Sequence, residues 1–290
     1  MAASMGESSR PSGHWVPHVV IAVGILITAF PLWVAFVAST LTLGQISQAP
    51  MQLWPGDQFW VVWKEVLEVG GGGGGRIITA PVSTMMWNSF VMAMVIAVGK
   101  IVISLMSAYA IVFFRVPFRT VFFWMIFVTL MLPVEVRIIP TLQVVSDLGM
   151  LNSFAGLTVP LIASATATFM FRQFFMTIPD ELVEAAKIDG AGPVRFFFDI
   201  VLPLSRTTIA ALFVILFIYG WNQYLWPLLV TTNQNLDTIV IGLAKQIDTA
   251  GGVTEWNKVM ATALLALLPP MLVVILMQRW FVKGLVETEK

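Results

Sequence analysis

Six long apolar runs dominate the chain, at about 19–39, 88–113, 120–140, 154–176, 207–230 and 259–282. A bilayer core about 30 Å thick needs about 20 apolar residues per helical span. Each run is too long for a strand and too uniformly apolar for a half-buried helix. Lipid offers no water to backbone amides, so such runs must bond internally as helices. The expected fold is therefore an all-α membrane protein with six transmembrane helices. About 20 apolar residues in the first run exceed the roughly 7–15 of a secretory signal, and only Arg10 precedes it as a basic residue, so it reads as an uncleaved span. The pattern divides the chain into an N-terminal tail (1–18), a first span (19–39), a long outer loop (40–87), a membrane core of five further spans (88–282) interrupted by a loop at 177–206, and a C-terminal tail (283–290).

Six spans put both termini on one side, and the basic residues indicate which. One set of connections holds Arg10, Arg115, Arg119, Arg172, Lys187, Arg195, Arg206, Arg279, Lys283 and Lys290; the other holds Lys64, Arg76, Arg137, Lys245 and Lys258. Ten against five, with Lys100 inside a span, predicts cytoplasmic termini by the positive-inside rule.

Composition narrows the function classes. Of 290 residues 58% are hydrophobic and 11% charged, with sixteen basic residues balancing sixteen acidic ones. Zero net charge supplies no field to hold nucleic acid. There is no Cys, and both His, at 14 and 18, precede the first span, so thiolate, Cys-ligated metal and intramembrane His chemistry are all unexpected. The run Gly70 to Gly75 beside Arg76 lacks the G-x-x-x-x-G-K-[ST] pattern of a phosphate loop and reads as a flexible tether. Trp54, Trp60, Trp63 and Trp87 fit interfacial belts.

The loop at 177–206 carries the most information. Thr177 and Asp180 resemble a capping box, 181–189 contains no Gly or Pro, Glu184 can pair with Lys187 across one turn, and Gly190 supplies a left-handed stop. Gly192 and Pro193 then break the chain before Phe196, Phe197 and Phe198, and Pro203 opens the next span. A helix of about ten residues hung beneath a bundle suits docking into a groove on another protein. Lying flat on the membrane surface is the alternative, although interfacial helices usually carry more Lys and Arg.

The spacing Glu184, Ala185, Ala186, three residues, Gly190, nine residues, then IVLP at 200–203 resembles the EAA loop of ABC-importer permeases of the maltose type. The stretches at 122–137, 163–168, 219–227 (YGWNQYLWP) and 277–287 are similar to the permeases of sn-glycerol-3-phosphate importers within that family. This resemblance implies the type I permease fold, with 177–206 holding a coupling helix. In it Glu184, Ala185, Ala186, Asp189 and Gly190 would form the contact with an ATP-binding subunit. It further implies a second, different permease, two copies of the ATP-binding subunit and an extracytoplasmic solute-binding protein in a bacterial inner membrane. ATP and Mg²⁺ would sit on the partner, with no cofactor bound by this chain, which has no Walker A sequence. The implied cargo is sn-glycerol-3-phosphate or a related glycerophosphodiester, a neutral sugar being the alternative. The glycine run and the N-terminal tail depart from the family pattern.

Polar groups at membrane depth are costly and should face protein or water. Lys100, mid-span beside Gly99, can attract an anionic phosphate or serve as a structural partner of another helix. Glu135 and Arg137 lie two apart on different helix faces beside Pro133, and Arg137 can bind phosphate or be neutralised by Glu135. Trp221, Asn222, Gln223 and Tyr224 combine amides and aromatic faces suited to a polyol, and equally suited to joining helices. Asn88 is a weaker candidate of that kind. Two rival classes remain. A lipid-processing enzyme would need a nucleophile and base absent from the spans; a secondary carrier would need no ATPase, but no inverted repeat is visible.

Overall fold

The computed structural model describes residues 15–73, 76–77, 79–114, 117–129, 134–247 and 253–286, with side chains of 72–73, 76–77, 134–135 and 281–286 outside the description. Fifteen α-helices follow one another among these residues. They are α1 (Trp15–Ala38), α2 (Leu43–Ile46), α3 (Phe59–Glu68), α4 (Val82–Phe113), α5 (Arg119–Val128), α6 (Val134–Asp147), α7 (Phe154–Thr158), α8 (Ala165–Phe175), α9 (Asp180–Ile188), α10 (Pro193–Phe196), α11 (Leu202–Leu204), α12 (Arg206–Trp221), α13 (Leu225–Val230), α14 (Ile239–Ile247) and α15 (Trp256–Val286). Three of them, α1, α4 and α15 as far as Trp280, are each long and apolar enough to cross a bilayer unaided.

The remaining expected spans are broken, and each break has a local cause. Run 154–176 is α7, a 3₁₀ turn containing Pro160, and α8, bent by 45° where Ser164 leaves the helix to cap the amide of Ala167. Run 207–230 is α12 and α13, separated at 222–224. Its entrance is bent by 70° between the 193–204 helices and α12, with Pro203 in the turn before. Run 120–140 falls on α5 and the first half of α6, each too short to span alone, and the segment at 130–133, Pro133 included, lies outside the described residues.

Helix α4 is the central post. It packs against α8 and α12, and α12 packs in turn against α15. The crossing of α4 and α12 is close because Gly220 has no side chain: a Cβ there would come within 2.8 Å of the Ala93 Cα. Small residues that let backbones approach are the usual basis of helix association in lipid, where the hydrophobic effect between helices is absent. Trp221 completes this layer, stacking on Phe217 and donating its Nε1–H to the Ala266 carbonyl of α15 at 3.1 Å. Helix α1, by contrast, packs mainly against α15, touches α3 through the Phe36 and Phe59 rings near its C-terminal end, and leaves its apolar window uncovered, as a helix facing lipid or another membrane subunit does.

The described part of the glycine run, Gly70–Gly73, does not form the tether the sequence suggests; Gly74 and Gly75 lie outside the described residues. Gly70 and Gly71 are buried: Gly70 adopts φ +105°, Gly71 exchanges two hydrogen bonds with the Thr79 hydroxyl, and Gly72–Gly73 pair with Arg76–Ile77 in a two-residue antiparallel ladder. The Gln246 side chain of α14 presses on Gly71 where a Cβ would sit, so close packing, rather than flexibility, uses the missing side chain. Trp54, Trp60 and Trp87 are exposed, as belt residues are, whereas Trp63 turns inward and donates to the Ser39 hydroxyl at 3.2 Å.

Candidate functional site

The loop beyond α8 builds a short helix and ties it down at both ends. Helix α9 starts at Asp180 after Pro179, with Asp180 and Glu181 in its first turn and Lys187 in its last, complementing the helix dipole. The Thr177 hydroxyl does not cap it; it donates back to the Phe174 carbonyl at 2.7 Å, closing the end of α8 instead. Nor does Glu184 pair with Lys187: the ion pairs among the described residues are Arg195–Asp199, Lys245–Asp237, and Lys258 with Glu65 and Glu255. The end of α9 follows its glycine. Gly190 takes φ +69°, its N–H donates to the Lys187 carbonyl, and the Ala191 N–H donates to Ala186, the paired bonds of a Schellman stop.

Ala186 is the helix's one buried residue, and it packs with Phe171, Phe175 and Phe196 in the same core as α4. Phe196 lies on the Tyr109 and Phe113 rings, at 6.3 and 5.3 Å between centroids, while the Tyr109 hydroxyl donates to the Pro193 carbonyl at 2.7 Å. The far side of this loop is bare. Glu184, Ala185, Asp189 and Gly190 are exposed, Ile188 to 86% and Val194 to 71%. A helix fixed through Ala186 and the half-buried Val183 thus turns an acidic and apolar surface outward.

The second constellation lies at mid-bundle. Lys100 on α4 is 7% exposed, and its Nζ sits 3.8 Å from the centroid of the Tyr219 ring on α12, a cation–π contact. No carboxylate pairs with it among the described residues. Arg137 is exposed, and its neighbour Ile138 packs with Met92 and Ile96, one turn before Lys100. The Glu135 side chain lies outside the described residues. The aromatic–amide cluster at 221–224 splits: Trp221 enters the helix interface and Gln223, just past α12, donates back to the Tyr219 carbonyl of that helix, while Asn222 and Tyr224 stand exposed where the backbone unwinds before α13. Unwound backbone at membrane depth is tolerated where it is covered by protein or lines a water-filled cavity. Lys100, Arg137, Tyr219 and this break thus share one region.

At the other end of α4, Asn88 is committed to holding a loop. Its amide donates to the carbonyls of Asn235 and Asp237 at 2.8 and 3.0 Å, and Ser89 accepts from the Ile239 N–H at 2.8 Å. The Asp237 carboxylate, buried beside them, receives Lys245 through both oxygens at 2.8 Å; burial pushes its pKa up while the ammonium opposes the shift. The residues missed in the sequence are Tyr219, Tyr109 and Phe196. The chain has only three tyrosines, at 109, 219 and 224, and all lie within apolar runs, so their hydroxyls and rings were the available signal for the first two.

A bundle of apolar helices built on a central post, with a tethered helix projecting from one end, is the architecture of an importer permease. Residues 100–287 match the family described as binding-protein-dependent transport system inner membrane component, and the chain belongs to that family. It is accordingly a non-catalytic inner-membrane subunit of a transport system. It is 62% identical over 281 residues to a protein of Brucella melitensis biotype 1 named sn-glycerol-3-phosphate transport system permease protein UgpE, covering 97% of this chain and 99% of that one. Proteins of the same name from Agrobacterium fabrum (60% over 282 residues, 97% and 99% covered) and Pectobacterium atrosepticum (61% over 273 residues, 94% and 96% covered) are comparably similar. The fold is shared with a chain in the crystal structure of a bacterial ABC transporter involved in the import of the acidic polysaccharide alginate: TM-score 0.78 at 20% identity, covering 96% of this chain and 100% of that one.

Proposed function

We propose that this chain is one of two unlike permease subunits of an ATP-driven importer for sn-glycerol-3-phosphate or closely related glycerophosphodiesters. In this reading both termini are cytoplasmic, α9 seats in one of two ATP-binding subunits, and an extracytoplasmic binding protein delivers the cargo. The chain itself holds no cofactor; ATP and Mg²⁺ belong to the partner. The observation that carries the reading is α9: exposed on every side but one, and fixed to the bundle through Ala186, Phe196 and Tyr109.

The anchoring specifies how force travels. Pushed by a closing partner, α9 moves as a body and pulls α4 through Tyr109, nine residues and roughly 14 Å along the helix from Lys100. The same loop enters α12 through the 70° bend, and α12 carries Tyr219. Both halves of the Lys100–Tyr219 contact therefore ride on helices that the loop moves. A buried cation near the middle of α4, unpaired by any carboxylate among the described residues, is a place for a phosphate ester, which favours this cargo over a neutral sugar. Membership in a binding-protein-dependent family favours ATP as the energy source over an ion gradient.

Reconstitution tests this. The assembled importer in proteoliposomes should take up sn-glycerol-3-phosphate only with internal ATP and external binding protein, and its ATPase should respond to that ester and not to maltose. Uptake driven by an ion gradient without ATP would refute the proposal.

A further inference from the structure

At the α9 end of the bundle, between α4, α5 and α8, lies a cavity of ≈ 230 Å³ lined in part by Arg119, Thr120, Phe123, Arg172 and Met176. Met176 stands four residues before α9, so the cavity adjoins the loop without belonging to it. The Arg172 guanidinium lies over the Phe123 ring, 4.1 Å from its centroid, and its Nε–H is shut off from solvent with no hydrogen-bond acceptor. Neither arginine joins an ion pair among the described residues. Two arginines and a hydroxyl facing one small space, with one N–H already desolvated and unmatched, call for an anion whose oxygens can accept from a planar fork.

A second hollow, of ≈ 210 Å³, adjoins the first and shares Arg119 and Ile111 with it; its other walls are Ala110, Phe122, Ile126 and Ser107, apolar but for the Ser107 hydroxyl, which is spent on the Ile103 carbonyl of its own helix. A free anion has no use for such a groove. An amphiphile does, since its charged group and its chain need adjoining spaces of these two kinds, and α5 turns Phe122, Trp124 and Met125 outward beside them. We propose that this pair of cavities is a binding site for an anionic phospholipid, its phosphate held by Arg119, Thr120 and Arg172 and an acyl chain lying between α4 and α5. Charge-assisted bidentate bonding supplies the preference for the headgroup, and burial of the chain supplies retention.

Native mass spectrometry of the intact purified importer, titrated with phosphatidylglycerol or phosphatidylcholine, tests it. Wild type should retain phosphatidylglycerol in preference to phosphatidylcholine. R119Q/R172Q should weaken phosphatidylglycerol binding by about tenfold with phosphatidylcholine unchanged, the loss of a charged hydrogen bond. A110F, which fills the groove and leaves both arginines in place, should weaken it as well, and decides the matter should the double variant fail to assemble. Equal retention of the two lipids by wild type, or A110F binding phosphatidylglycerol like wild type, would overturn the proposal. So would inorganic phosphate displacing the lipid from wild type and A110F alike, which would make the cavity a soluble-anion site.

Discussion

Replacing Phe196 tests whether the loop is bolted to α4 or merely adjacent to it. The ring is 6% exposed and is held between Tyr109 and Phe113 within the main core. Phe196→Ala removes that ring and leaves a cavity, worth about 3–5 kcal/mol at a fully packed site. Phe196→Leu keeps most of the volume and should cost under about 1.5 kcal/mol. Tyr109→Phe keeps all ring contacts and deletes one hydrogen bond to Pro193, about 1 kcal/mol. Since about 1.4 kcal/mol is a factor of ten in population, the alanine variant should raise the undocked fraction of the loop by about a hundredfold or more, and the other two by about tenfold or less. Measured as solute taken up per ATP hydrolysed in proteoliposomes, with assembly checked by size exclusion, coupling should fall in the order wild type, Tyr109→Phe, Phe196→Leu, Phe196→Ala, with the two middle variants close together. An alanine variant that assembles and couples like wild type would refute the mechanical link, as would a leucine variant as damaged as the alanine.

Three further outcomes follow from other contacts. Lys100→Met removes the mid-span cation and should raise the half-saturating concentration for the phosphate ester in reconstituted uptake by about ten- to a hundredfold, the worth of a charged hydrogen bond, while assembly is preserved; unchanged uptake would make Lys100 a packing residue. Asn88→Ala orphans the buried carbonyl of Asp237 and the partly buried one of Asn235 and should destabilise the purified importer by about 2 kcal/mol, read as a lowered melting temperature. Gly220→Ala forces a methyl against the Ala93 backbone and should cost about 1–3 kcal/mol by the same measurement, whereas Gly24→Ala, with no atom within 4 Å, should leave it unchanged.

Much of this was legible in the sequence because lipid imposes a length and a composition on every span, and α1, α4 and α15 lie where the apolar runs place them. The end of α9 was legible for a similar reason, since Gly190 supplies the one backbone conformation that the stop requires. Breaks inside spans were not. The unwinding at 222–224 leaves hydropathy untouched, and a run that is apolar throughout cannot report where its hydrogen bonds change partner. Adjacent residues also mislead on a helix, where each step turns the side chain by about 100°. Trp221 and Asn222 looked like one cluster, yet one faces α15 and the other is exposed. The Thr177 hydroxyl, which the sequence suggests as a cap for the helix ahead, bonds to the Phe174 carbonyl behind it. The glycine run showed only the absence of side chains; Gln246, far along the chain, decides what fills the space.

Because the chain has no cysteine, Ile188→Cys gives the chain a single attachment point at a position of α9 that is 86% exposed. A spin label there reports what covers the helix. In the assembled importer in lipid nanodiscs, the label should lose accessibility to water-soluble relaxing agents only when the ATP-binding subunit is present, and should remain inaccessible to oxygen dissolved in the bilayer. A label that is reached by bilayer oxygen and is indifferent to the ATP-binding subunit would place α9 flat on the membrane and contradict its role as the lever.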